Sequence, residues 1–511
     1  MIHVLAVLSL TTLPQSPEIP SPHARLSFEG NTTPESSSDV VASVTGDFSF
    51  RPGLAGSSLH SDASDSKRYI SLSGLEMGFD HADDFSVQVW VKAKSGSSKF
   101  SVVASNSDLT RSRQPYNQGR YPLQMMNAGW SLFVREGSWG FNIGDGNRNY
   151  HYQPHEGTQP IDDGEWHQLA FSHNSEEVSV RVYFDGRKVA ILHLADLRSS
   201  ILGAYPLHIG ADGRGDESDS PSFEGSIDEL AIWNATLDDS DIDALYTTHR
   251  PSKVVPLPPI RTSIKVMAWN IWHGGHHFTR DENGSQITRG DIWDKPELVA
   301  NYDGAVRVAE IIRELGADIV LLQESYGSGP RIASLLGYEI MIAAGLFSNQ
   351  VWGPNITVLS RFPIERAFVE RRLISNNGGA LIKISEEQRL VAFSNWYSGS
   401  RTTELSAALD QWQELLASSD TIPILYGGDY NSRSHLSGGD SEHSRIMVEH
   451  LFKDSFHELG GTYPRAIDYL YYRGAPLTPT SSIMQRTEIT DYPSDHPLVL
   501  TEFELSHRFA R

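Results

Sequence analysis

Ten residues in the C-terminal half, I-P-I-L-Y-G-G-D-Y-N at 422–431, place an apolar run, two glycines, a carboxylate and an amide in succession. The run reads as a buried strand. The glycines are expected to end it, where the backbone must turn or come close to a neighbour. Asp429 and Asn431 can then point the same way from the strand end. Four more stretches deliver polar groups in the same manner. Residues 264–269 end at Asn270, and 317–323 end at Glu324. Asp468 opens the short run D-Y-L-Y, and Ser494-Asp495-His496-Pro497 precedes the last apolar run at 498–503. A single polar strand end is a common turn residue; five from separate strand edges form a constellation.

These residue types suit metal-assisted hydrolysis of a phosphoester. Glu324 and Asp495, helped by Asn270, are hard oxygen ligands for Mg2+ or Mn2+. Such an ion polarises the phosphoryl oxygen and neutralises the leaving oxygen. Asp429 would orient the attacking water and take its proton. Asn431 and a protonated His496 would donate hydrogen bonds to the phosphoryl oxygens as charge grows. Asp468 would hold the imidazole in place. Three nearby signals stay open. His273, His276 and His277 line the phosphate pocket, add a metal ligand or are solvated loop residues. Arg361 contacts phosphate or is structural, and His435 packs or caps a turn.

The elements that must position these groups change character along the chain. At 511 residues two or three domains are expected. From about residue 24 to 250, short alternating runs such as 85–91, 166–171, 178–184 and 227–233 are punctuated by Gly, Asn and Asp. That spacing predicts an all-β jelly-roll sandwich. Asp185-Gly186 signals a hairpin turn and 237–246 a closing helix. Residues 251–262 form a Pro-rich linker. Beyond it, over 263–506, strands alternate with amphipathic helices at 302–315 and 403–418, which predicts an α/β layered domain.

Composition narrows the function classes. The net charge is −22 and both halves are acidic, which argues against a broad basic surface for grasping polyanions. A phosphodiester would be bound through metal ions and a few local arginines. There is no cysteine, hence no disulfide, thiol nucleophile or Cys-ligated zinc. Residues 4–13 are apolar and followed by P-Q-S-P, like the core of an export signal within 1–20. Secretion, or a periplasmic or cell-surface location, is expected. No later run approaches the roughly 18 apolar residues of a membrane span. Residues 343–352 (AAGLFSNQVW) are a candidate apolar hairpin for a lipid surface, or a loop.

Two resemblances follow from motifs. W-H-Q-L-A-F, Y-F-D-G, L-H-I-G and F-E-G-S-I-D-E-L-A-I-W-N, between 166 and 234, resemble laminin-G or concanavalin A-like domains. Members bind glycans or proteins, or act as spacers; the fold alone does not choose, and a glycan or cell-surface ligand is one partner the resemblance allows. Asp228, Glu229 and Glu29 are either a structural Ca2+ site or surface carboxylates. M-A-W-N-I-W-H-G-G, A-D-I-V-L-L-Q-E, L-S-R-F-P-I, G-G-D-Y-N-S-R-S-H-L, A-I-D-Y-L and S-D-H-P-L span about 262–505 in order. They resemble the endonuclease/exonuclease/phosphatase superfamily. The resemblance implies a four-layer αββα sandwich, an Mg2+-dependent site, and the roles given above. One departure stands out: where many members carry His in N-x-H-L, this chain has Asn395-Trp396-Tyr397. Abasic-site endonucleases resemble it there, so Tyr397 is expected to donate to phosphate from its phenol. The substrate is left open among nucleic acid, a lipid head group and a small phosphate. The competing expectation is a glycan- or protein-binding adhesion protein whose hydrolase-like domain is inactive.

Overall fold

A computed structural model describes residues 19–35, 39–62, 67–74, 79–96, 100–109, 127–135, 137–215, 222–275, 303–343, 355–369, 377–397, 402–462, 466–486, 488–489 and 491–506. The apolar run at 4–13, His276, His277 and residues 344–352 lie outside them.

In the N-terminal half, alternating apolar residues close two sheets over one core. A seven-stranded antiparallel sheet contains Ser138–Gly144, Gly129–Arg135 and Ser101–Ser105. It faces a second sheet built around Phe85–Ala93, His167–Asn174 and Gly225–Trp233. Phe171 joins the layers, its ring 4.8 Å from that of Trp130 and 4.7 Å from that of Phe141. The second sheet is buried on its outer face too, because the helix Asp239–Thr247 lies across it, stacking Tyr246 on Trp90 at 5.4 Å. That helix starts at Asp238, which forms a reciprocal capping box with Asp241. The expected turn is present: Asp185 and Gly186 both have positive φ, 51° and 77°, between Ser179–Phe184 and Arg187–His193.

The three carboxylates considered for Ca2+ do not gather into one cluster. Glu229 is engaged by Arg25, whose Nη2 lies 2.8 Å from Oε2. Asp228 accepts from the backbone N–H groups of Leu54 and Glu229, and Glu29 from that of Ser57. A guanidinium bound to Glu229 already balances the charge that an ion would have met.

The C-terminal half is the expected αββα sandwich. One sheet contains Leu498–Leu505, Ser263–Asn270, Ile319–Gln323, Ile356–Ser360 and Glu339–Ala343. The other contains Asn377–Lys383, Arg389–Trp396, Ile424–Asp429 and Asp468–Arg473. Val266, Ala268, Leu321, Val358, Ala392, Leu425 and Leu470 fill the space between them. Gly304–Leu315 covers the outside of the first sheet with Val308 and Ile312. Thr402–Gln411 and Glu442–Glu449 cover the second with Leu405, Leu409 and Met447. The single helix expected at 403–418 is two, separated at Trp412, whose ring packs 5.6 Å from both Phe368 and Phe393.

The halves share a sheet, which the sequence reading did not anticipate. Arg187–His193 pairs in parallel with Glu339–Ala343, in the register Ala190↔Ile340 and Leu192↔Ile342. The result is one 14-stranded sheet running through both sandwiches. Pairing two edges in this way hides backbone groups that an isolated domain would leave open. Polar contacts flank the seam. Lys188, fully enclosed, pairs with Asp239 and lies 3.7 Å from Glu339. His155 Nε2 lies 3.0 Å from Asp303, which Arg331 also pairs. Burial opposes the charge on Asp303, but His155 and Arg331 hold its pKa down at about 2.

Candidate active site

The two facing sheets bring their polar ends together at one rim. Ile424–Asp429 does not stop at its glycines; it runs through them, so Asp429 is a strand residue. Gly428 has φ 149°, and a Cβ there would lie 2.0 Å from the carbonyl oxygen of Asn395. Glycine therefore allows the two strands to close up beside the acid. Asp429 is opposite Trp396 in the parallel register and opposite Asp468 in the antiparallel one. All three side chains thus share the face turned toward the first sheet.

His496 links two of those groups. Its Nδ1 lies 3.0 Å from both oxygens of Asp468, and its Nε2 lies 3.8 Å from Asp429 Oδ2. Burial disfavours the charged ring, but Asp468 and then Asp429 outweigh it and raise its pKa to about 10. Burial, then the neighbouring Asp468, pushes Asp429 up, and burial pushes Asp468 up. Ligand atoms of Asp429, Asp468 and His496 lie within 4.8 Å of one another, a metal-like spacing. A protonated imidazole has no lone pair to offer an ion, so we read this trio as a charge relay, hydrogen-bonded at Asp468 and ion-paired at Asp429.

The Asp429 carboxylate is fixed by amides. Asn431 donates to it from its backbone N–H at 2.7 Å and from Nδ2 at 3.0 Å; Asn270 Nδ2 donates at 3.1 Å. Asn270 Nδ2 also reaches Glu324 Oε1 at 3.2 Å, while its Oδ1 accepts from the Trp272 N–H. The expectation that Asn270 supplies a metal-ligating oxygen is therefore corrected: its oxygen is turned away and its NH2 spaces the two acids. Asn431 likewise spends its amide on Asp429 and the Tyr397 carbonyl, so it orients the acid instead of facing phosphate.

Glu324 lies across the rim, and burial pushes its carboxyl up. Asp495 is half-exposed beside it, with Oδ1 3.9 Å from His496 Nε2. That oxygen is covered yet has no hydrogen-bond partner. Among the described residues, no lysine or arginine lies within ion-pair distance of Glu324, Asp429 or Asp468; their partners are His273 and His496. A part-buried carboxylate and a carboxylate oxygen without a hydrogen bond, with no lysine or arginine beside Glu324 among the described residues, fit a divalent ion bound by Glu324 and Asp495.

Tyr397 is the third correction. Strand alternation turns Trp396 inward and Tyr397 outward, into the core beneath the helices. Its hydroxyl meets Tyr426 Oη at 2.7 Å and Asn377 Nδ2 at 3.1 Å, and its ring stacks on His443. It cannot serve as a phosphate donor from there. Tyr397→Phe is expected to leave diester turnover unchanged and to cost about 1 kcal/mol in urea unfolding, the usual loss for one hydrogen bond. A large drop in kcat with unchanged stability would return Tyr397 to the site.

Arg361 is structural, paired with Asp318 at 2.9 Å and bonded to the Tyr338 hydroxyl. His435 bonds Ser444 at 2.6 Å in a turn. Two contributors escaped the sequence reading. Ser494 donates to the Asn270 carbonyl at 2.6 Å and accepts from the His496 N–H, tying the histidine loop to the opposite strand. Its place in S-D-H-P was visible, but not its partner. Trp396 was hidden by strand parity. Five non-glycine residues around the rim, Trp272, His273, Glu324, Tyr326 and Asn431, have φ between 43° and 54°. Asn adopts this region readily, but each of the other four costs roughly 1–3 kcal/mol, strain that is typical of functional sites.

Comparison with known proteins divides the chain at the same place. The profile described as the concanavalin A-like lectin/glucanases superfamily matches residues 64–243. That of the endonuclease/exonuclease/phosphatase family matches residues 267–496. No curated protein matches the sequence. Among solved structures, an endonuclease/exonuclease/phosphatase from Beutenbergia cavernae DSM 12333 is 16% identical, with a TM-score of 0.35, covering 48% of this chain and 73% of its own. The human Nocturnin catalytic domain is 18% identical, with a TM-score of 0.36, covering 49% of this chain and 97% of its own. The binding domain of Paraclostridial Mosquitocidal Protein 1 is 13% identical, with a TM-score of 0.35, covering 49% of this chain and 58% of its own. Values this low carry nothing about activity or ligand.

Proposed function

We propose that this chain, which joins a concanavalin A-like domain to an endonuclease/exonuclease/phosphatase-family domain, is a divalent-metal-dependent hydrolase of phosphoester bonds. The observation that carries the reading is the Asp468–His496–Asp429 relay standing beside part-buried Glu324. An Mg2+ or Mn2+ ion held by Glu324 and Asp495 would supply a Lewis acid at the phosphoryl group. The protein's own residues do the remainder. Asp429, oriented by Asn270 and Asn431, takes the proton of the attacking water. His496 donates from Nε2 to the phosphoryl oxygen as charge develops, while Asp468 holds Nδ1.

The net charge of −22 favours a small or locally bound phosphoester over a long polyanion. Lipid head groups, nucleotides and nucleic acid ends all meet that condition. The N-terminal sandwich would present a glycan or cell-surface ligand, and the apolar run at 4–13 supports export. No helix among the described residues is long and apolar enough to cross a membrane.

Turnover of bis-p-nitrophenyl phosphate is expected with Mg2+ or Mn2+, to vanish in EDTA, and to return on adding either ion. If folded protein with either ion hydrolysed neither this diester nor p-nitrophenyl phosphate, the proposal would fail.

A further inference from the structure

One imidazole at the rim takes no part in the relay. We propose that His273 is a metal ligand beside Glu324 and makes the site prefer Mn2+ over Mg2+, an inference that rests on the metal-dependent reading above. The ring is enclosed, 2% exposed, and its Nε2 lies 3.7 Å from Glu324 Oε2. Both atoms can reach one shared ion across a gap of this size.

The backbone goes out of its way to put the ring there. Trp272, His273, Gly274 and Gly275 have φ of 48°, 51°, 79° and 90°, four left-handed residues in succession. The turn is anchored on both sides. The N–H groups of Gly274 and Gly275 donate at 2.8 Å to the carbonyls of Glu324 and Ile271. A Cβ on Gly275 would lie 2.9 Å from the Gly304 carbonyl oxygen, so the turn sits hard against the start of Gly304–Leu315. The His273 N–H also points at Glu324 Oε2, 3.3 Å away, and the ring stacks on Tyr326 at 5.7 Å and 10°. Backbone, ring and carboxylate are thus locked together before any ion arrives.

Ligand chemistry sets the preference. Mg2+ keeps oxygen ligands and water; Mn2+ is also served by oxygen, but it opens the first-row series, whose ions accept an imidazole more readily than Mg2+ does. A pocket of Glu324 and Asp495 alone would accept either ion, and one added imidazole favours Mn2+.

The test is a titration of the full chain with Co2+, followed by its visible absorption, with Mg2+ and Mn2+ as competitors. It is run on wild type, Glu324→Gln, His273→Asn and His273→Gly. Asn and Gly both accept the left-handed backbone at 273, so the turn is kept. In wild type, Mn2+ is expected to displace Co2+ at a concentration at least about tenfold below Mg2+. Both His273 variants should still bind Co2+, with a shifted absorption band and most of the Mn2+ preference gone. An unchanged band and an unchanged Mn2+/Mg2+ ratio in both variants would overturn the inference alone, provided Glu324→Gln abolishes binding. Absence of Co2+ binding in wild type would overturn both this inference and the metal-dependent reading.

Discussion

His496→Ala is expected to lower kcat/KM for bis-p-nitrophenyl phosphate by about 10³-fold, the scale on which a preorganised donor to a developing oxyanion is lost. The structure makes the loss specific. His496 Nδ1 is held by Asp468 and its Nε2 faces Asp429, so the ring is fixed between the two carboxylates. The pH profile provides a second readout. The charged ring is the form present below a pKa of about 10, so a reaction that needs it holds through neutral pH and declines as pH rises through that value. Asp468→Asn removes an anion that stabilises the imidazolium, which lowers its pKa and moves the alkaline limb toward neutrality. His496→Ala should lack that limb. Circular dichroism and thermal melts establish that each variant is folded. Retention of nearly full activity by His496→Ala, or an alkaline limb unmoved in Asp468→Asn, would remove the histidine from the mechanism.

Gly428→Ala carries the largest expected effect on stability. The position combines φ 149° with an added Cβ 2.0 Å from the Asn395 carbonyl oxygen and 2.9 Å from its carbon. These are backbone atoms of a paired strand, and they cannot swing aside as a flexible side chain would. Strain of about 1–3 kcal/mol and overpacking of similar size combine here, which for a domain of this size lowers Tm by roughly 10 °C. Gly438→Ala is the control: its φ is 76° and nothing lies within 4 Å of the added Cβ. It pays only the backbone term. The gap between the two variants in urea and thermal unfolding measures the close approach itself. Equal stabilities would mean that the strands can separate without cost, and that glycine is not what brings Asp429 to the rim.

The sequence by itself determined the two sandwiches, their order, and most of the polar groups at the rim. Asp429, Glu324, Asp468, Asp495 and His496 were legible because each follows or opens a strand whose apolar pattern is local. Tertiary structure decided which way the side chains face and what they meet. Trp396, not Tyr397, faces the first sheet because one step along a strand reverses the face, and that parity is fixed by the partner strand. Asn270 donates where it was expected to ligate, since only the folded site shows both Glu324 and Asp429 within reach of its NH2. The join between the halves was equally hidden. Edge pairing of Arg187–His193 with Glu339–Ala343 unites residues about 150 apart, and no local pattern records which edge a strand will meet. Periodicity is written residue by residue, whereas register, facing and edge pairing depend on contacts that exist only once the chain has closed on itself.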